Sequence, residues 1–172
     1  MRIIAGSRKG HNLFTPRGLD TRPTSDRVRE NVFNIVGPVD DATVLDLYAG
    51  SGAMGLEALS RGAAQAVFVD DDRDAVEAIE RNLDKLRLRA TVLRRDAVAF
   101  LASERRKYDL VLVDPPYDVY ADIEPQLARY LPGILNDDAV IVVETDARVQ
   151  PALPLPERTT RKYGQTRVTV YG

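Results

Sequence analysis

Short apolar runs alternate with amphipathic stretches through most of this 172-residue chain. Five runs rich in aliphatic and β-branched residues predict strands at 43–48, 66–70, 91–95, 109–113 and 139–144. Between the second and third runs, apolar residues recur at steps of three and four: Ala75, Val76, Ile79, Leu83 and Leu86. This spacing predicts a helix over 73–88 with one buried face.

Shorter helices are predicted at 53–60, 97–105 and 122–132. Strands that alternate with helices are typical of βαβ units, so the pattern predicts an α/β fold with a mostly parallel sheet. The alternation ends near Pro151, Pro154 and Pro156, which exclude a regular helix there. Residues 158–163 and 166–171 then flank a Gly164-Gln165 turn and predict an antiparallel hairpin at the end of the sheet.

The residues before the first strand predict an arm and a helix. Residues 2–5 and 12–14 resemble a small β-hairpin, which a loop containing Pro and Arg follows. Thr24 or Ser25 is a candidate N-cap for a helix with one apolar stripe, formed by Val28, Val32, Phe33, Ile35 and Val36. We therefore expect a basic hairpin arm at 1–24 and an α/β domain at 25–172.

Composition excludes several kinds of chemistry. The chain contains no Cys and a single His, His11, so neither disulfides nor Cys-based or His-rich metal sites are expected. No run approaches the ~18 consecutive apolar residues of a membrane span, and the N-terminus lacks the apolar stretch of a signal peptide. We expect a soluble cytoplasmic protein without a metal, whose chemistry comes from an organic cofactor or from carboxylates.

The net charge of −2 conceals a strong asymmetry. Residues 1–30 carry 7 Lys and Arg against 3 Asp and Glu, and residues 157–172 carry 4 against 1, whereas the region between them is acidic. Basic ends on an acidic body fit a polyanion such as RNA. Exposed ends that are simply solvated by arginine explain the same pattern, and charge alone does not separate the two hypotheses.

A glycine-rich turn follows the first predicted strand. Gly50, Gly52 and Gly55 satisfy the G-x-G-x-x-G spacing, and Asp70 ends the next strand twenty residues after Gly50. This is formally a dinucleotide-binding fingerprint, and by itself it predicts a nicotinamide-dependent oxidoreductase. The physical requirement is more general, because glycines let the backbone approach any ligand closely at the carboxyl end of a strand.

Two acids favour S-adenosylmethionine over a dinucleotide. Asp46 places a carboxylate near the glycine turn, where it suits the methionine ammonium and would repel a pyrophosphate. Asp96, after the third strand, can accept from the adenine amine while the Ala97 N–H meets a ring nitrogen. The alternative is that each Asp only caps the helix that follows it. The candidate cofactor-binding residues are Asp46, Tyr48, Ala49, Gly50, Ser51, Gly52, Asp70, Asp71, Asp96 and Ala97.

The most specific motif is Asp114-Pro115-Pro116-Tyr117, directly after the fourth predicted strand. Two consecutive prolines have no backbone donors and restrict φ, so their carbonyls point in set directions. The Asp114 carboxylate and the Pro115 carbonyl can accept both hydrogens of an amine conjugated to a base. Tyr117 offers a flat face on which a flipped base stacks. These four residues are the candidate catalytic site for amine methylation, with a rigid turn beside a core tyrosine as the structural alternative.

These motifs together resemble the bacterial 16S rRNA guanine-N2 methyltransferase family, RsmD. The resemblance rests first on the two site motifs, Asp-Leu-Tyr-Ala-Gly-Ser-Gly at 46–52 and Asp-Pro-Pro-Tyr at 114–117. Three further stretches extend it over nearly the whole chain: Arg-Ile-Ile-Ala-Gly at 2–6, residues 21–30 and Tyr-Gly-Gln-Thr at 163–166. It implies a Rossmann-like class I methyltransferase fold for residues 25–172, with a seven-stranded sheet. It also implies S-adenosylmethionine as cofactor and guanine 966 of 16S rRNA, within the small ribosomal subunit or an assembly intermediate, as target.

The resemblance further implies that Asp70 binds the ribose hydroxyls and that the N-terminal arm approaches RNA. The candidate RNA-binding residues are Arg8, Lys9, Arg22, Arg27 and Arg29. We expect residues 1 to about 30 to serve the RNA and not the cofactor. An adenine-N6 methyltransferase acting on DNA or RNA remains open, because Asp-Pro-Pro-Tyr also occurs in such enzymes. The oxidoreductase and a non-catalytic RNA-binding module are the more distant alternatives.

Overall fold

The computed structural model describes residues 1–16 and 26–172. The helices are Asp26–Val36 (α1), Ala53–Ser60 (α2), Arg73–Leu86 (α3), Ala97–Ser103 (α4) and Tyr120–Tyr130 (α5), and a 3₁₀ turn follows at Leu131–Ile134. The strands are Thr43–Leu47 (β1), Gln65–Asp70 (β2), Thr91–Arg94 (β3), Tyr108–Val113 (β4), Leu135–Asp146 (β5), Glu157–Tyr163 (β6) and Thr166–Tyr171 (β7). None of the described helices is long and apolar enough to cross a membrane.

The seven strands of the described residues form one sheet in the order β3-β2-β1-β4-β5-β7-β6. Strands β1 to β5 are parallel, β7 is antiparallel to β5, and β6 is antiparallel to β7. The predicted mostly parallel sheet with an antiparallel C-terminal hairpin is therefore confirmed. The strand order reverses between β1 and β4, and in open α/β sheets ligands bind beside such a reversal, at the carboxyl ends of the strands.

Helices cover both faces of the sheet, because successive residues of a strand point to opposite sides. Val44 of β1 packs in the core formed with α1, α2 and α3, whereas Leu45 and Leu47 pack in the core formed with α4 and α5. Asp46 follows the alternation of Val44 and faces α2, where its carboxylate accepts a hydrogen bond from the Gly55 N–H at 2.9 Å. The pleat thus places an acid inside the apolar layer at the end of β1.

Several element boundaries differ from the prediction. Helix α3 ends at Leu86 rather than 88, because Arg87 adopts a left-handed conformation with φ 55°. Strand β5 begins at Leu135 rather than 139, and its pairing with β4 shifts register between Tyr108 and Leu110. The N-terminal hairpin contains a single bridge, between Arg2 and Asn12. The predicted caps Thr24 and Ser25 lie outside the described residues.

Residues 1–16 pack against the helices through buried polar groups. The carboxylate of Glu57 in α2 accepts hydrogen bonds from the N–H groups of Ile4 and Ala5, at 2.9 and 3.1 Å. Asn82 of α3 is fully buried; its Oδ1 accepts from the Phe14 N–H, and its Nδ2 donates to the Phe14 and Ser51 carbonyls. Asn82 therefore ties the N-terminal segment to the glycine-rich turn.

Candidate active site

A cavity of about 450 Å³ opens at the carboxyl ends of β1, β2, β4 and β5. Its walls bring together the glycine-rich turn, the acids after β2 and the Asp-Pro-Pro motif after β4. The lining residues are Met1, Thr15, Pro16, Asp46, Tyr48, Ala49, Gly50, Ser51, Ala53, Met54, Asp70, Asp71, Asp72, Ala75, Leu112, Val113, Asp114, Pro115, Pro116, Val142 and Glu144. The volume lies within the range of ligand pockets in proteins.

The glycine-rich turn has the backbone shape that its sequence predicts. Tyr48, Gly50 and Gly52 have φ values of 56°, 58° and 80°, in the left-handed region, so the chain turns sharply between β1 and α2. Gly55 is required for another reason, since a Cβ there would lie 2.5 Å from the Phe68 ring and 3.0 Å from Asp46 Oδ2. The absence of a side chain lets α2 approach β1 and β2 closely.

Asp46 lines this cavity while remaining 3% exposed. The pKa of its carboxyl is raised from 3.8 to about 8, mainly because the group is buried. The hydrogen bond from Gly55 lowers this pKa, and the nearby charge of Asp70 raises it further. The pKa of a buried acid falls again when a cation binds beside it. Asp46 is therefore suited to a positively charged group of a ligand, and its contact with the methionine ammonium stays a prediction.

Asp70 holds the glycine-rich turn in place. Its Oδ2 accepts from the Gly50 N–H at 2.9 Å and its Oδ1 from the Asp72 N–H at 3.0 Å. Burial raises the pKa of Asp70, these two hydrogen bonds lower it, and the neighbouring Asp71 and Asp72 charges raise it. Each carboxylate oxygen has a further lone pair, so the side chain can still accept from ligand hydroxyls. Asp71 also lines the cavity, and Asp72 caps α3 by accepting from the Ala75 N–H.

Asp96 and Ala97 lie outside the lining of this cavity. The exposed Asp96 caps α4 by accepting from the Ala99 N–H at 2.8 Å, and Ala97 is 4% exposed. In the structure, Asp96 therefore acts as the N-cap of the helix that follows it, which is the alternative role that the sequence left open. It remains near the site, because its charge contributes, after burial, to raising the pKa of Tyr48 to about 12. Contact of Asp96 and Ala97 with an adenine stays a prediction.

The four residues of the Asp-Pro-Pro-Tyr motif follow β4 without interruption. Asp114, Pro115 and Pro116 line the cavity, and the Asp114 N–H donates to the Leu47 carbonyl at the end of β1. Tyr117 is half-buried, and its hydroxyl lies 2.6 Å from Thr166 Oγ1. The motif is therefore held between β1 and the C-terminal hairpin.

The candidate RNA-binding residues fall into different environments. Lys9 and Arg27 are exposed, and Arg22 lies outside the described residues. Arg8 turns its guanidinium onto the Leu86 and Arg87 carbonyls at the end of α3. Arg29 has a fully buried side chain that pairs with Glu57 at 3.4 Å and Asp26 at 3.1 Å. We correct the expectation for Arg29: its position among acids inside the protein leaves no guanidinium surface for a phosphate.

The structure adds lining residues that the sequence analysis did not select. Met1, Thr15 and Pro16 contribute to the cavity wall from the N-terminal segment, so the expectation that this segment serves the RNA and not the cofactor stays a prediction. Glu144, two residues before the end of β5, is 7% exposed and adds a further acid. Glu144 ends a predicted strand, as Asp70 does, so its position was a signal available in the sequence.

The chemistry of the lining suits an organic cation. Asp46, Asp70, Asp114 and Glu144 supply carboxylates, while Leu112, Val113 and Val142 supply apolar surface. Among residues 1–16 and 26–172, no group of three or more His, Cys, Asp or Glu is arranged to hold a metal ion. The residues present fit the sulfonium and ammonium of S-adenosylmethionine better than the anionic pyrophosphate of a dinucleotide.

Comparisons with known proteins identify the family of this chain. The model of a family described as Conserved hypothetical protein 95 matches residues 1–172. Ribosomal RNA small subunit methyltransferase D of Escherichia coli (strain K12) is 42% identical across 90% of this chain and 78% of that protein. YlbH of Bacillus subtilis (strain 168) is 41% identical across 99% of this chain and 98% of its own length. The solved structure of yhhF from Escherichia coli superposes with a TM-score of 0.87 and 38% identity, covering 99% and 96% of the two chains.

The family match over the whole chain and these identities agree with the order of the strands and with the motifs around the cavity. The protein has a class I methyltransferase fold, and it belongs to the RsmD family.

Proposed function

We propose that this protein transfers a methyl group from S-adenosylmethionine to the exocyclic N2 amine of a guanine in 16S rRNA, at guanine 966 of the small ribosomal subunit or its assembly intermediate. Membership of the RsmD family makes it an rRNA methyltransferase, and the guanine amine is our finer proposal. The reaction takes place in the cytoplasm, where the rRNA is. The family assignment removes the oxidoreductase alternative.

One observation carries this proposal: the glycine-rich turn and the Asp-Pro-Pro motif line the same cavity. Gly50 and Asp70 stand on one side of the strand-order reversal, after β1 and β2, and Asp114 stands on the other side, after β4. A cofactor bound over the glycines and an acceptor base held by Asp114 would therefore meet within one cavity. Bringing two reactants together in this way supplies a large part of the rate in such transfers.

The residues on the side of the cavity assigned to the cofactor bind and orient S-adenosylmethionine. Asp46 faces a cationic group from within the buried layer, and Asp70 offers its remaining lone pairs to the ribose hydroxyls while it holds the Gly50 N–H. The cofactor supplies an electrophilic methyl on a sulfonium. The apolar side chains of Leu112, Val113 and Val142 help to exclude water from the wall of the cavity.

The residues of the base half act on the amine. Asp114 and the Pro115 carbonyl accept the two N–H hydrogens, which localises the nitrogen lone pair for attack on the methyl carbon. After methyl transfer, which would release S-adenosylhomocysteine, the amine would carry a surplus proton, and Asp114 is placed to accept it directly or through water. Tyr117 supplies the face on which the flipped base stacks.

Substitution of Asp114 tests this assignment. We expect Asp114→Ala to slow methyl transfer to small-subunit rRNA about 100-fold or more, since the variant lacks a general base, and Asp114→Asn to fall between wild type and Ala, because it keeps an acceptor oxygen. The measurement is incorporation of labelled methyl groups, with calorimetric affinity for S-adenosylhomocysteine as the control that should stay unchanged. Equal activity of Ala and wild type would remove Asp114 from the mechanism.

The identity of the methylated base is read from the same reaction. Digestion of the rRNA and mass spectrometry should give N2-methylguanosine. N6-methyladenosine in its place would establish the adenine-N6 alternative and overturn the guanine assignment.

A further inference from the structure

A hydrogen bond links the catalytic motif to the C-terminal hairpin. The Tyr117 hydroxyl lies 2.6 Å from Thr166 Oγ1, although the two residues are 49 positions apart in the chain. Both side chains are half-buried. A separation of 2.6 Å is at the short end of the range for hydroxyl pairs, so the two groups are closely held.

The two ends of this bond differ in how firmly their backbones are held. Thr166 is the first residue of β7 and pairs with Asp146 of β5 on one side and with Tyr163 of β6 on the other. Tyr117 lies in the turn between β4 and α5, where the Val119 N–H donates to the Pro116 carbonyl at 3.0 Å. The bond therefore anchors a loop residue to the first residue of a strand that is paired on both sides.

We propose that Thr166 is a positioning residue that fixes the direction in which the Tyr117 ring extends, and so where its face is available for stacking of the target base. The proposal rests on the proposed function, in which that ring receives the flipped base. Pro115 and Pro116 restrict the backbone that leads to Tyr117, but they leave its two side-chain torsions free. A hydrogen bond at the far end of the ring restricts the first torsion, which sets the direction of the long axis of the ring, because the hydroxyl oxygen is the side-chain atom that this torsion moves furthest.

This assignment explains why the motif ends in Tyr rather than Phe. Stacking needs only an aromatic face, which either residue presents. The hydroxyl adds the contact with Thr166, and Thr166 in turn belongs to the Tyr-Gly-Gln-Thr stretch at the hairpin turn. Two motifs that are far apart in sequence thus act on one ring.

A double-mutant cycle tests the proposal. The variants are Thr166→Val, which keeps the shape and loses the hydroxyl, Thr166→Ser, which keeps the hydroxyl, Tyr117→Phe, and the Tyr117→Phe/Thr166→Val pair. Thr160→Val is the matched control, since it removes a hydroxyl of the same hairpin that lies 3.2 Å from Thr169 Oγ1. Rates are measured in single-turnover methylation of small-subunit rRNA with saturating cofactor.

We expect Thr166→Val and Tyr117→Phe each to lower the rate about two- to tenfold, as the loss of one neutral hydrogen bond predicts. The double variant should stay within about twofold of either single variant, because both remove the same bond. Thr166→Ser and Thr160→Val should behave as wild type, and affinity for S-adenosylhomocysteine should be unchanged throughout. A wild-type rate for Thr166→Val, or a double variant whose losses multiply, would overturn the proposal.

A second readout does not depend on activity. In protein carrying ring-¹³C-labelled tyrosine, Tyr117→Phe identifies the Tyr117 signal by its disappearance. The chemical shift of that signal should change in Thr166→Val and should keep its wild-type value in Thr166→Ser and Thr160→Val. An unchanged signal in Thr166→Val overturns the ring-positioning role. If the signal changes but the wild type does not methylate rRNA, the proposed function is overturned and the anchoring of the ring is still established.

Discussion

The protonation state of one buried acid links the cofactor site to stability. Asp46 is 3% exposed, and burial raises its pKa to about 8. The unfolded chain has the ordinary value of 3.8, so between about pH 4 and pH 8 the folded protein retains a proton that the unfolded chain has lost. The contribution of Asp46 to stability is therefore fully present below about pH 4 and is lost as the pH rises towards 8.

Replacing Asp46 by Asn should remove this dependence. Asn keeps an acceptor oxygen for the Gly55 N–H and does not titrate. Chemical denaturation of both proteins at several pH values between 5 and 8 should show the wild type losing stability more steeply than Asp46→Asn, by up to about 1.4 kcal/mol per pH unit. Parallel curves for the two proteins would mean that Asp46 is ionised in the folded state.

Helices α1 and α2 are joined by a network of charged side chains that is centred on a fully buried ion pair. Arg29 of α1 pairs with Glu57 of α2, both side chains fully buried, and Arg61 binds the other Glu57 oxygen at 2.8 Å. The Arg29 guanidinium also donates to the Arg2 carbonyl. Removing Arg29 takes away one of the two cations that compensate the buried Glu57 carboxylate and leaves Arg61 as the other. This network therefore fixes the N-terminal segment and α1 to α2.

Arg27 and Arg29 provide a matched pair for separating structure from RNA contact. Arg29→Ala should lower the free energy of unfolding by about 3 to 5 kcal/mol. Arg27→Ala removes an exposed arginine of the same helix, so its stability should stay within about 0.5 kcal/mol of wild type. The same variant should weaken rRNA binding and reduce the slope of log affinity against log salt by roughly 0.7 to 0.9.

Denaturant unfolding and binding measured across salt concentrations check both variants. An unchanged salt slope for Arg27→Ala would remove that residue from the RNA surface. A wild-type melting temperature for Arg29→Ala would contradict the structural role of the buried pair.

At the scale of the whole molecule, the N-terminal segment, residues 1–16, forms part of the cavity wall. Met1, Thr15 and Pro16 line the cavity beside the glycine-rich turn, and Asn82 joins the two regions through the Phe14 and Ser51 carbonyls. Ligand binding at the glycine-rich turn should therefore stabilise the N-terminal segment as well.

Amide hydrogen exchange measures this coupling. Adding S-adenosylhomocysteine at about one hundred times its Kd stabilises the folded state by about 2.7 kcal/mol. We expect slower exchange in peptides covering 48–52 and also at the Phe14 amide, which is bound to Asn82. Protection of 48–52 with no change in 1–16 would show that the segment does not respond to the cofactor.

The sequence by itself determined the architecture and most of the candidate site. Hydrophobic periodicity is a local property, so the sheet, its direction and helix Ala53–Ser60 were predictable from neighbouring residues. The carboxyl ends of parallel strands meet at one edge, and this rule was enough to bring Asp46, Asp70 and Asp114 together. Short motifs then indicated the chemistry, because their glycines and prolines restrict the backbone within a few residues.

Only the tertiary structure decided which distant segments meet. Helical spacing places Arg29 on the same face as Val32 and Phe33 and leaves Arg27 off that face, but the packing of α1 against α2 decided that the buried Arg29 meets Glu57. The bond between Tyr117 and Thr166, and the place of Thr15 and Pro16 in the cavity wall, join residues separated by long stretches of chain. Long-range contacts depend on how helices and strands pack against one another, and no local pattern of residues contains that information.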